Sequence, residues 1–167
     1  MSKDRKFNRE KREKPEYDQK LLDLARVARV VKGGRRFRFR ATLVIGNRKG
    51  KVGVGVGKGS DVSDAIKKAF DDAKKSLVTV SMKGNTIMHD IEYKKGAARI
   101  ILKSAVSGKG IIAGGAIRSV VDLAGIKDIV SKSLGTSNKL SVARAVVEAL
   151  SVLNKARTRK SRIGDKK

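Results

Sequence analysis

From residue 35 to residue 46 apolar and basic side chains alternate almost one for one. Phe37, Phe39, Ala41, Leu43 and Ile45 share one side of a strand, because successive strand side chains point to opposite faces. Arg36, Arg38 and Arg40 share the other. The pattern predicts a strand with one face for a core and one face of guanidinium groups. A shorter strand over residues 26–32 precedes it, turned by Gly33-Gly34. The loop 47–50 (Asn-Arg-Lys-Gly) leads into a third strand over residues 51–58, with Val52, Val54 and Val56 on one face and Gly53, Gly55 and Gly57 on the other. A helix over residues 61–77 follows. Ile66, Ala69, Phe70, Ala73 and Leu77 fall at helical spacing, with Ser60 or Asp61 as its cap. The helix is expected to rest on the Phe37/Phe39 face.

The second half reads β-β-α-β-α, which indicates another α/β layer. Strands are expected at 86–93 and 98–103, turning at residues 94–96. A loop at 107–110 precedes a glycine-interrupted helix over 111–124 that Gly125 breaks. A strand at 126–132 and a final helix capped by Asn138 complete the pattern. Leu21, Leu22 and Leu24 mark where order begins, and Pro15 separates it from a charged, aperiodic arm. The expected organisation is an arm at 1–16, domains at 17–80 and 81–153, and a basic tail at 154–167.

Charge changes the picture most. The 167 residues carry a formal net charge of +25. Residues 21–60 hold 11 Lys or Arg against the single acid Asp23. Self-repulsion at this charge calls for an anionic partner. Arg26, Arg29, Lys32, Arg35, Arg36, Arg38, Arg40, Arg48, Lys49, Lys51 and Lys58 are therefore candidates for RNA contact, with Gly33 and Gly34 at the turn among them. Guanidinium suits the task because its planar fork stays charged and pairs with phosphate. The alternating glycines fit either a close-packed protein element or the approach of an RNA backbone, and the flanking Lys51 and Lys58 favour the RNA. Phe37 and Phe39 offer either core packing or base stacking, and the alternation favours the core.

Other chemistry finds little support. There is no cysteine, so disulfides and thiolate metal sites are excluded. His89, the single histidine, has neither a metal-ligand partner set nor a nucleophile at useful spacing. The glycine runs fail both GxxxxGK[ST] and GxGxxG. No cofactor, small-molecule substrate or membrane contact is expected, and the N-terminal residues lack the apolar run of a secretory signal. A free-standing RNA chaperone or DNA-compacting protein is the main competitor. Such a protein should carry its charge more evenly, whereas the nearly uncharged stretch 111–117 suggests docking.

The run VKGGRRFRFRATLVIGNRKGKVGVGVGKGSDVSDAIKKA resembles the signature of bacterial small-subunit ribosomal protein five. So does GKGIIAGGAIRSVVDLAGIKDIVSKSLGTSNKLSVARAVVEAL, in the right order and spacing. The resemblance implies an α+β chain of two small α/β domains. The first would be a double-stranded-RNA-binding-like sheet plus helix, and the second a left-handed βαβ-type domain. It also implies a non-enzymatic, cytoplasmic constituent of the ribosome that binds small-subunit rRNA, contacts ribosomal proteins four and eight, and lies near the mRNA entry side. The stretch 26–34 then corresponds to the RNA-contacting loop. Gly108, Lys109, Gly110 and Arg118 correspond to the contact with protein four, through which the family influences decoding accuracy.

Overall fold

The computed structural model describes residues 16–164, with side chains to Leu153. The expected arm falls almost wholly outside the described residues, as do the side chains of the expected tail. Four strands form the first sheet, in the order β1 (Asp18–Val31), β2 (Gly34–Gly46), β3 (Lys51–Gly59) and β4 (Val78–Thr79). All its pairings are antiparallel. Strand β1 is twice as long as the alternation of residues 26–32 suggests. It begins at Asp18 and carries a bulge between Leu21 and Asp23 that lets its half-buried residues follow the sheet.

Helix α1 (Val62–Lys75) crosses one face of this sheet. Asp61 caps it by accepting a hydrogen bond from the Ser63 amide. Its buried stripe is Ala65, Ala69 and Ala73, packed with Ala41, Leu43 and Ile45 of β2. The glycines of β3 explain how closely it lies. A Cβ on Gly53, Gly55 or Gly57 would sit 2.6, 2.2 or 2.3 Å from a backbone oxygen of α1. The expectation that these glycines receive an RNA backbone is therefore corrected: their smooth face is covered by the helix.

The second unit holds the small hairpin of β5 (Met82–Lys83) and β6 (Thr86–Ile87) and a four-stranded sheet in the order β7-β8-β10-β9. Its strands are β7 (Ile91–Lys95), β8 (Ala98–Ser104), β9 (Ile111–Ile112) and β10 (Ile129–Gly135). Strands β9 and β10 run parallel with α2 (Gly115–Ala124) between them, a βαβ unit. The expected helix over 111–124 thus starts four residues late, because Ile111 and Ile112 pair into the sheet and Gly114 serves as N-cap. Gly125 ends α2 in the left-handed conformation, at φ +92°. Asn138 accepts from the Leu140 amide and opens α3 (Lys139–Gly164), which runs on through most of the segment expected to be a tail. Lysine, arginine and alanine there favour continuation of a helix already nucleated by a buried stretch.

The larger core joins the two units. Val44, Val52 and Val54, on the sheet face opposite α1, pack with Val120, Val121 and Leu123 of α2 and with the buried face of α3. Among the described residues no helix is long and apolar enough to cross a membrane.

Candidate nucleic-acid interface

Strand pairing decides where the cations stand. β3 pairs with β2 only from Phe39 onward, so residues 27–38 project beyond the sheet as a two-stranded ribbon closed by Lys32-Gly33. Five residues of strand give the ribbon a reach of about 15 Å. Directly opposed residues of an antiparallel pair share a face. Arg29 stands opposite Arg36, and Arg40 opposite Lys58, on the face of Arg38. Arg29, Arg36, Arg38 and Lys58 line a groove of about 470 Å³ floored in part by Val27 and Val31. No acidic residue lies between Asp23 and Asp61 to neutralise them.

Burial sets apart one residue on each face of the ribbon, and the second, Phe37, corrects an expectation. Arg40 is half-buried at the foot of the ribbon, and its Nε is buried without a hydrogen-bond partner among the described residues. The face of β2 beyond it is buried, first at Thr42 and then at Val44, which belongs to the inter-unit core. Phe37 is not a core residue. It is 50 % exposed, because α1 and β3 end short of the ribbon. Phe39 packs against the α1 core, as the alternation implies. The guanidinium of Arg26 lies over the Phe37 ring, 4.4 Å from its centroid.

The remaining cations lie at the other end. Strand β2 spans about 40 Å at 3.3 Å per residue, and Arg48, Lys49 and Lys51 follow its far end. There the loop is part of the junction between the units. The Arg48 amide donates to the Leu123 carbonyl at 3.0 Å, and the Gly50 amide donates to the Ala124 carbonyl at 2.9 Å. Arg48 itself has φ +53° and pairs with Asp18 at 3.0 Å. The Asn47 side chain accepts from the Lys49 and Lys51 amides. The 11 cations therefore divide into a ribbon cluster and a junction cluster. Asp18 as a partner for Arg48 carried no signal in the sequence, being remote from it along the chain.

In the second unit, Gly108 and Gly110 adopt φ +88° and +75°, with open space where a Cβ would stand. Gly110 is held on both sides: its amide donates to the Asp128 carboxylate at 2.8 Å, and its carbonyl accepts from the Ile129 amide. Asp128 is buried, and its own amide donates to the Asn85 carbonyl. Nothing in the sequence singled out Asp128, whose effect depends on this fold. Lys109 is exposed. Arg118 is exposed in the first turn of α2 and forms no ion pair among the described residues. Within 111–117, Ile112 is half exposed but Ile117 belongs to the core, so only part of that apolar stretch is a surface.

No group of His, Asp or Glu among the described residues is arranged to hold a metal ion. His89 is exposed. Its neighbour Asp90 accepts from the amide and the hydroxyl of Ser104, and those bonds hold its carboxyl below the usual carboxylate range.

Residues 17–81 match the family described as ribosomal protein S5, N-terminal domain, and residues 93–162 match ribosomal protein S5, C-terminal domain. Proteins named small ribosomal subunit protein uS5 from Campylobacter jejuni strains 81-176 and RM1221 are each 56 % identical to the chain over 148 residues. The aligned region covers 89 % of this chain and 97 % of either relative.

Proposed function

Because the chain belongs to the ribosomal protein S5 family, a family of structural constituents of the small ribosomal subunit rather than enzymes, we propose that its ribbon is the main rRNA-binding element. One observation carries this reading. Arg29 opposite Arg36 and Arg40 opposite Lys58 are like charges facing each other across strands, an arrangement that opposes folding. A polyanion in the groove reverses the sign. Arg26, Arg29, Lys32, Arg35, Arg36, Arg38, Arg40 and Lys58 act there as phosphate ligands, with Gly33 and Gly34 letting the RNA approach the turn. Arg48, Lys49 and Lys51 form a second, weaker contact beside the junction.

The second unit supplies protein contact. The 108–110 loop and Arg118 face ribosomal protein four, a neighbour whose contact tunes decoding accuracy near the mRNA entry side, while ribosomal protein eight contacts another surface. The division into residues 17–80 and 81–153 belongs to this proposal. It is supported by the separate sheets and by the α1 core being distinct from the larger one.

The test is the salt dependence of binding to small-subunit rRNA. Each phosphate neutralised contributes about 0.9 to the slope of log K against log salt on duplex and about 0.7 on single strands. Arg36→Ala with Arg38→Ala should lower the slope by about 2 and weaken binding at 50 mM salt. A folded double variant with the wild-type slope would show that the phosphates lie elsewhere.

A further inference from the structure

We infer that Arg26 and Phe37, on the ribbon face turned away from the four-cation groove, form a stacking seat for an unpaired RNA base. The inference rests on the rRNA reading above and adds a contact of different chemistry to the same element. In the pairing, Arg26 faces Phe39 and Ala28 faces Phe37, so all four share the α1 face of the sheet. Helix α1 covers that face only as far as Phe39. Beyond it Phe37 is 50 % exposed and Val30 is 77 % exposed.

The ring is not simply left over from the core. Ala28, directly opposite, offers only a methyl group, so the flank of the ring stays open. The Arg26 guanidinium caps it at 4.4 Å and forms no ion pair among the described residues. Attraction between a cation and a ring face holds both in place before any partner arrives. A phenyl ring joined to a guanidinium plane is a surface on which a base stacks, since aromatic and arginine planes are the usual seats for splayed bases.

Charge selects the occupant. The segment from Arg26 to Arg38 contains six Lys or Arg and no acid. An apolar protein partner would need its own acidic rim to approach, whereas a nucleic acid brings phosphates and bases together. With phosphates in the groove on one face and a base on the other, the ribbon lies between two segments of one RNA. Stacking gives affinity without charge, so it separates cleanly from the groove in its salt dependence.

The full chain has no tryptophan, so Phe37→Trp introduces a single fluorescent reporter. Its emission should be quenched by an oligoriboadenylate and unaffected by inorganic polyphosphate of matched charge. Phe37→Leu should weaken binding to small-subunit rRNA by about 5- to 150-fold at every salt concentration and leave the salt slope unchanged. Phe37→Tyr should retain wild-type affinity. Because the ring is half exposed, thermal unfolding should be nearly the same in all three variants. Equal quenching by polyphosphate, or full rRNA affinity in Phe37→Leu, would overturn the inference. A Phe37→Leu chain that binds rRNA normally but fails to enter small subunits would assign the face to a neighbouring protein instead. Failure of the wild-type chain to bind rRNA would sink the rRNA reading itself, and this inference with it.

Discussion

Gly55→Ala should damage folding rather than RNA binding. The added methyl would stand 2.2 Å from the Ala69 oxygen and 2.3 Å from the Ala73 nitrogen, and both are backbone atoms of α1. No side chain can rotate away, so the helix itself must move. Restoring ordinary contact beyond 3.4 Å lifts it by about 1 Å, a gap that costs its lining up to about half of its dispersion contact. The lift is shared by Ala65, Ala69 and Ala73, all fully buried, and by the neighbouring Gly53 and Gly57. Overpacking a tight core costs about 1–3 kcal/mol, and more where only backbone can yield. We take about 3 kcal/mol as the expected loss. For a chain of this size that lowers Tm by about 6–12 °C. Circular dichroism melts of Gly55→Ala and of Gly115→Ala measure the difference. Gly115 has open space around its Cβ position and begins α2, so its variant should melt with the wild type or slightly above it. The competing idea, that RNA packs on these glycines, predicts a normal melt for Gly55→Ala with weakened rRNA affinity. That result would refute the packing argument.

Asp90 supplies an acid-sensitive tie between the start of β7 and the end of β8. Its carboxyl is held below its ordinary range by the Ser104 bonds, so its contribution is present above the unfolded value near 4 and is lost as pH falls through the lower folded value. Denaturant unfolding of wild type and Asp90→Asn should therefore differ at pH 7 and converge below about pH 4; a gap independent of pH would mean the carboxylate charge contributes nothing. Arg118→Ala should leave Tm and the rRNA salt slope unchanged, because the side chain is exposed and unpaired among the described residues, yet raise misreading in a reporter strain. Normal error rates with normal subunit assembly would remove Arg118 from the protein contact.

Much of the first unit was readable from periodicity, because alternation and helical spacing are local. Residues 34–46 do form one strand, the 47–50 loop and the Asp61 cap stand where expected, and α1 presents its alanines to the sheet. What alternation does not carry is how far the neighbouring elements extend. Phe37 and Phe39 have the same pattern, yet only Phe39 lies under α1. The register of β3, which stops pairing at Phe39, decides the difference. The glycines were ambiguous for a related reason. A strand face without side chains states only that something comes close, and α1 comes close because its own contact residues are alanines. In the second unit, Ile111 and Ile112 have an apolar pattern compatible with helix or strand. Their parallel partners Ile129 and Val130 are remote in sequence, and a short apolar run cannot reveal them.

Packing also explains why the cations collect where they do. One face of the first sheet is closed by α1 and the other by α2 and α3, so its body has no free face for unpaired charge. Arg40 marks the limit, with its Nε already buried and unbonded. Beyond it, the ribbon is the part of β1 and β2 that no other element covers. The body in turn is held stiffly. Gly125 has φ +92°, and a Cβ there would stand 2.1 Å from the Arg48 carbonyl oxygen, while Gly46 comes equally close to the Leu123 backbone. Two amide hydrogen bonds from the 47–50 loop to the end of α2 close the same junction. Such backbone-to-backbone contact leaves little room for one unit to slide on the other. The ribbon and the exposed Arg118 of α2 are therefore carried by one continuous core. If RNA binds the ribbon as proposed, it fixes the pose of the Arg118 surface as well, with no moving part between them.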